Sequence, residues 1–167
     1  EGKVSTVVTA DIGCYALGAV APLKAIETIV CMGASIGMAR GAAESGYKYA
    51  FGVIGDSTFL HSGITGLVDA VSTKTPVTII ILDNSIIAMT GCQPTMLPSS
   101  QLEKIVLGVG VEKEHLRIVD AKPNLVEDNT KVILEEAEYR GVSVIIMVRE
   151  CLEAARLRKK KEAIANG

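Results

Sequence analysis

Apolar positions along the chain fall into two alternating kinds of segment. Val4–Ala10, Tyr49–Ile54, Val77–Leu82, Leu116–Asp120 and Val142–Val148 are short, β-branched and nearly continuous in apolar character. Strands covered on both faces of a parallel sheet read this way, because neither side of the pleat meets water. Between them the apolar positions recur at helical spacing. Ala34–Glu44 is rich in Ala and Gly, and Leu60–Val71 aligns Leu60, Ile64, Leu67, Val68 and Val71 on one face. Val126–Tyr139 carries Val126, Val132, Ile133 and Ala137, with Gly141 placed to end it. Ser100-Gln101-Leu102-Glu103 has capping-box spacing and predicts the start of a short helix. The tail Cys151–Gly167 predicts a charged helix whose basic end, Arg156, Arg158 and Lys159-Lys160-Lys161, suits the helix dipole. Such alternation implies right-handed crossovers and an α/β three-layer sandwich on a mainly parallel sheet. Ile86–Ser99, with Gly91, Pro94 and Pro98, breaks the pattern. It reads as a long loop after the third strand, at the sheet end where open α/β folds place their ligand crevice.

The 167 residues are 49% hydrophobic and 22% charged, which suits one core, one domain and a wet surface. With four Tyr, two Phe and no Trp, that core must be built from Val, Ile, Leu and Ala. The apolar content excludes disorder. A net charge of −2 supplies no basic field for the phosphates of a nucleic acid. The apolar runs fall far short of the roughly 20 residues that cross a bilayer, and no charged-then-apolar leader opens the chain. Cys14, Cys31, Cys92 and Cys151 are scattered without a C-x-x-C pair. That spacing argues against a zinc site or iron–sulfur cluster within this chain, and for reduced thiols in the cytoplasm. Length leaves open whether this is a whole protein or a piece of a larger one.

The chemistry concentrates in one pattern: strand, Gly55-Asp56-Ser57-Thr58, helix, strand, Asp83-Asn84. Asp56 offers a carboxylate to a divalent cation, and Asn84 offers a neutral oxygen from the neighbouring strand end. The amides of Ser57 and Thr58 open a helix N-terminus, where free N–H groups and the dipole favour phosphate. Gly55 is read as the residue that lets the chain turn sharply. Magnesium takes near-octahedral oxygen coordination shared among protein, water and phosphate, so these parts suit a magnesium–diphosphate site. Each dipeptide alone also has a plain reading: Asp56 capping the helix, and Asp83-Asn84 making a turn.

Gly55-Asp56, followed 28 residues after the Asp by Asn84, resembles the thiamine-diphosphate motif, with Ser57 and Asp83 where the common form has Gly and Asn. The run Gly55-Asp56-Ser57-Thr58-Phe59-Leu60-His61-Ser62-Gly63, with Ile81-Leu82-Asp83-Asn84 and Ala88-Met89-Thr90-Gly91-Cys92-Gln93-Pro94, resembles the indolepyruvate:ferredoxin oxidoreductase alpha subunit. Asp11-Ile12-Gly13-Cys14-Tyr15 and Cys31-Met32-Gly33-Ala34-Ser35-Ile36-Gly37 match that family as well, so the likeness runs over essentially the whole chain.

The resemblance implies a thiamine-diphosphate-binding fold of the diphosphate-binding type. It puts Mg²⁺ on Asp56, Asn84 and the backbone carbonyl of Ile86, and the diphosphate on main-chain amides of Gly55, Ser57 and Thr58. Met32 would lie under the bent cofactor, or else pack in the core. Gly13 and Cys14 would lie at the cofactor's edge, with a buried small hydrophobe as the other reading of Cys14. Thr90 and Gly91, with Gln93, would border the diphosphate and the substrate end. His61 faces either solvent or the cofactor, and is the one candidate for proton transfer. His115, among Glu112, Lys113 and Glu114, reads as surface. The implied reaction is oxidative decarboxylation of an aryl 2-oxo acid such as indolepyruvate, with electrons passing through iron–sulfur clusters to ferredoxin and the acyl group to coenzyme A. The implied partners include a pyrimidine-binding domain that supplies a Glu, a ferredoxin-type cluster domain and a second (beta) subunit. On this reading the chain is a diphosphate-binding domain from a larger subunit, inactive alone and part of an oligomer. Another 2-oxo acid:ferredoxin oxidoreductase, a thiamine-dependent decarboxylase and a cofactor-free assembly module remain as alternatives. A nucleotide-binding Rossmann domain is disfavoured because no G-x-G-x-x-G follows the first strand. Gly37 and Gly41, four apart, would allow close helix packing within the chain or between chains.

Overall fold

The computed structural model describes residues 5–165, so Val4 and the last two residues of the tail lie outside the described residues. Strands β1 (Thr6–Ala10), β2 (Thr28–Ile29), β3 (Tyr49–Gly55), β4 (Val77–Asp83), β7 (Leu116–Asp120) and β8 (Val142–Val148) form one sheet in the order β2-β1-β3-β4-β8-β7. Every neighbouring pair in it is parallel. The segment expected as a plain loop holds instead a two-stranded antiparallel pair, β5 (Ile86–Ile87) with β6 (Gln93–Pro94), joined through a 3₁₀ turn at Ala88–Thr90.

Three helices cover one face: α1 (Ala34–Glu44), α2 (residues 56–73) and α3 (Ser99–Val109), packed α1 on α2 and α2 on α3. On the other face α4 (Val126–Glu138) packs on β3, β4 and β8. This is the arrangement that right-handed crossovers require of the strand order. The central strands are sealed on both sides, with Ile79, Ile81, Val144 and Ile145 fully buried. Ile36, Phe59, Leu67, Leu102 and Val106 close the core from the three-helix side. Burying each such side chain contributes about 1.5–3 kcal/mol, so packing holds the sheet at this geometry.

Several local expectations need correction. Val68, placed on the apolar face, is half-exposed, as is Val126. The capping box does not form: α3 starts at Ser99, with Pro98 before it and no side-chain cap, so Ser100 lies inside the helix. Gly37 and Gly41 face open space, and the close approach belongs to Gly66, whose added Cβ would come 3.2 Å from Ile36. His115 is not a solvated surface residue. It stacks on Tyr139 and places Nδ1 2.9 Å from the buried Glu136 carboxylate, at the sheet end where β7 and β8 begin. Leu152–Ala165 forms the expected charged tail helix, α5. No helix among the described residues is long and apolar enough to cross a membrane.

Candidate functional site

From β1 the chain steps outward to β2, then crosses back over β1 to β3, so the strand order reverses between β1 and β3. A crevice opens outside the carboxyl ends of strands at such a switch point. Three segments meet there: residues 11–15 after β1, residues 55–58 after β3 and residues 83–87 after β4.

Asp11 is fully buried and accepts hydrogen bonds from Ser35 N–H at 2.6 Å and Ser35 Oγ at 3.0 Å. It thereby caps α1 from 24 residues away, and burial pushes its carboxyl above the usual range despite those bonds. The cap fixes the loop Cys31-Met32-Gly33. Gly33 is left-handed at φ +85°, and a Cβ there would come 2.8 Å from the Ser62 carbonyl oxygen, so only glycine fits. Met32 is 44% exposed beside the crevice, which removes its core-packing reading. Cys14 is exposed as well, so it is no buried hydrophobe.

Gly55 is extended at φ −78°, a conformation open to any residue, so a sharp turn is not its reason for being glycine. The reason is space: a Cβ there would lie 3.2 Å from the Tyr15 ring. Asp56 opens α2 and is 4% exposed. Its Oδ1 accepts from Ser57 N–H at 2.7 Å, and Oδ2 accepts from Ser85 N–H at 2.7 Å and Asn84 N–H at 3.3 Å. Asp83, 2% exposed, shares the Ser85 N–H at 3.0 Å through Oδ1, while its Oδ2 is buried without a partner. Asn84 Oδ1 accepts from Ile86 N–H at 3.0 Å. The turn reading is realised at Asp83-Asn84, but the cap reading is not. Asp56 is the first residue of α2, with Gly55 before it and no side-chain cap, and its oxygens instead tie the opening of α2 to the turn after β4. Burial, then the neighbouring Asp83, pushes the Asp56 carboxyl up to about 6.

A pair of buried carboxylates with one oxygen orphaned and only amides and a hydroxyl as partners fits a cation. Oxygen donors from Asp56, Asp83, Asn84 and the Ile86 main chain are of the hard type that Mg²⁺ takes. Among the described residues no group of three or more His, Cys, Asp or Glu could hold a metal.

Thr58 is buried beside Asp56. His61 is exposed, one turn further along α2. Thr90 and Gly91 are exposed in the β5–β6 connection, with Thr90 and Gln93 bonded to each other. Asp83 and Tyr15 are the site residues that pattern reading did not select. Tyr15 sits in a quoted motif, and Asp83 stands where the common motif has Asn. Unpartnered buried side-chain atoms among the described residues are Tyr15 OH, Ser57 Oγ, Ser62 Oγ and Asp83 Oδ2. All four lie in the segments that meet at this crevice or on the first turns of α2.

Comparison with known proteins agrees with this fold. The thiamine pyrophosphate enzyme family, in its C-terminal TPP binding domain, matches residues 11–147. The indolepyruvate oxidoreductase subunit IorA of Archaeoglobus fulgidus is 36% identical over 151 residues, covering 84% of this chain and 24% of that subunit. The Pyrococcus abyssi subunit of the same description is 32% identical over 164 residues, covering 84% and 25%. The chain thus spans about a quarter of the length of these curated relatives. A 2-oxoglutarate:ferredoxin oxidoreductase from Magnetococcus marinus shares the fold at TM-score 0.71 and 15% identity, over 89% of this chain and 55% of that one. Benzoylformate decarboxylase from Polynucleobacter necessarius shares it at TM-score 0.61 and 17% identity, over 89% and 30%. A domain match over most of the chain, with relatives above 30% identity, makes this chain a member of the thiamine pyrophosphate enzyme family, in its C-terminal cofactor-binding domain.

Proposed function

We propose that this domain holds the Mg²⁺–diphosphate end of thiamine diphosphate within a longer alpha subunit of an indolepyruvate (aryl 2-oxo acid):ferredoxin oxidoreductase. The observation that carries the reading is the buried Asp56–Asp83 pair, with its orphaned oxygen, at the opening of α2. Asp56, the Asn84 amide oxygen and the Ile86 carbonyl hold the metal. Gly55, Ser57 and Thr58 turn main-chain amides to the diphosphate, the Ser57 amide being freed when Asp56 turns to the cation. Gly13, Cys14, Thr90 and Gly91 border the cofactor, and exposed Met32 gives it an apolar support. Bound there, thiamine diphosphate supplies the electron sink that lets a 2-oxo acid lose carbon dioxide. The chain's own part is to bind and orient; exposed His61 is the candidate for carrying a proton.

The remaining parts are assigned elsewhere in a cytoplasmic oligomer: a pyrimidine-binding domain, a ferredoxin-type cluster domain with its iron–sulfur clusters, and a second (beta) subunit. Ferredoxin, coenzyme A and the aryl 2-oxo acid complete the reaction. Two facts support the division. The chain covers a quarter of its relatives, and the segments flanking the crevice expose Ile12, Leu17, Leu23, Val30, Met89 and Met96 as an apolar surface suited to a second domain. On this reading the chain alone turns over no substrate.

Titration of the full-length enzyme with thiamine diphosphate and Mg²⁺ tests the reading, with Asp56→Ala as the control. Metal-dependent binding by the wild type, weakened at least 100-fold in the variant, is expected. Failure of the wild type to bind would sink the reading.

A further inference from the structure

Tyr15 follows β1 at the crevice. Its ring lies across the faces of two glycines: a Cβ on Gly13 would overlap it, and one on Gly55 would lie 3.2 Å from it. Its hydroxyl is buried, with the Gly55 main chain and the Thr58 side chain close enough to favour its ionised form and the Asp11 and Asp56 carboxylates opposing it, but none of them meets it in good hydrogen-bond geometry. A buried phenol O–H left without a well-placed acceptor costs about 1–3 kcal/mol, a cost that an anionic oxygen arriving in the crevice would relieve. The Ser57 hydroxyl is stranded in the same way on the adjoining turn, and the Asp83 carboxylate oxygen lacks a donor or cation. Two orphaned donors and one orphaned acceptor around a helix opening describe a ligand with anionic oxygens beside a cation.

We propose that Tyr15 is a positioning residue for the diphosphate, its hydroxyl donating to a phosphate oxygen while its ring fixes the separation of the Gly13 and Gly55 segments. Burial, with the Asp11 and Asp56 carboxylates adding to it, pushes the phenol up to about 12, so it remains a donor at any working pH. Glycine at 13 and 55 and tyrosine at 15 then form one unit, because a side chain at either glycine would displace the ring.

The inference rests on the diphosphate reading above, and the full-length enzyme in its complex tests both. Tyr15→Phe keeps the ring and removes only the hydroxyl. Equilibrium dialysis with Mg²⁺ is expected to give a dissociation constant for thiamine diphosphate about 10-fold higher in this variant than in the wild type, the factor of a charge-assisted hydrogen bond. Inorganic pyrophosphate, used as a competitor, should lose the same factor, because the contact is made to the diphosphate alone. The cofactor-free thermal midpoint of the variant should not fall. Unchanged constants for both probes, or a lowered cofactor-free midpoint marking a structural hydroxyl, would overturn the role of Tyr15. Absence of binding by the wild type would instead overturn the reading on which it rests.

Discussion

Asp56 sets the pH response of the unloaded domain. Unfolded, its carboxyl titrates near 3.8; folded and without metal it titrates at about 6, because burial and Asp83 both oppose its charge. Between those values the folded chain binds more protons than the unfolded one. This contribution is fully present below 3.8 and is lost as pH rises through 6. In chelator at pH 7, Asp56→Asn is therefore expected to be more stable than the wild type, by up to ~3 kcal/mol. Urea melts should show that gap closing as pH falls toward 4, and Mg²⁺ with the cofactor should reverse its sign. A gap independent of pH would contradict the assignment. Asp56 and Asn84 were legible in the sequence because their spacing is a motif in its own right. Asp83, Asp11 and Tyr15 stood in the quoted motifs without a role in the site, because what gives them one is burial, which arises only once three strand ends converge. For Met32 and Cys14 the pattern left two readings each, and exposure removes the packed one; His61 is exposed, which leaves both of its readings, solvent and cofactor, in place.

At the scale of elements, α2 is the member that joins core to crevice. It opens as an α-turn at Asp56–Thr58, widens to a π-helical segment at Phe59–Gly63 and continues as α-helix at Ile64–Thr73. Such widened turns recur at functional sites, and here one seats Ser62 against Gly33. Gly33→Ala forces a Cβ into the Ser62 carbonyl at a left-handed φ. It is expected to cost about 1–3 kcal/mol in denaturant melts and to weaken cofactor affinity through the displaced Met32 loop. Leu67→Ala, which hollows the contact between the same helix and the sheet, should cost about 2–5 kcal/mol in those melts. The central strands β4 and β8 were legible because burial on both faces writes itself into many residues, and α1 by its Ala- and Gly-rich run. Edge strand β7, expected to be covered on both faces, is partly exposed, with Ile118 at 53%, and was legible from its β-branched run alone. The paired strands β2, β5 and β6 have two residues each, too few for any period. The π-helical segment left no signature because no residue type demands it.

Across the molecule the two ends of the sheet differ. Where β7 and β8 begin, polar groups are paired internally: Glu136 takes His115 Nδ1 at 2.9 Å, and its main-chain carbonyl accepts from Ser143 Oγ at 3.3 Å. The opposite end carries the crevice, its stranded polar atoms and exposed aliphatic and thioether side chains. The tail helix α5 adds little to either end, with Leu152 and Leu157 exposed and its Glu150–Arg158 pair at the surface. Removing residues 152–167 is expected to leave the thermal midpoint of the domain within about 2 °C, a calorimetric check of whether α5 serves the core. The apolar rim formed by Leu17, Leu23, Val30, Met32, Met89 and Met96 has a separate consequence in interfacial terms. A body that gathers thioether and aliphatic side chains along one rim has the makings of a surfactant with a fixed tail. At an air–water film or a hydrophobic chromatography bead it adsorbs rim first, presenting the His115 end to the liquid.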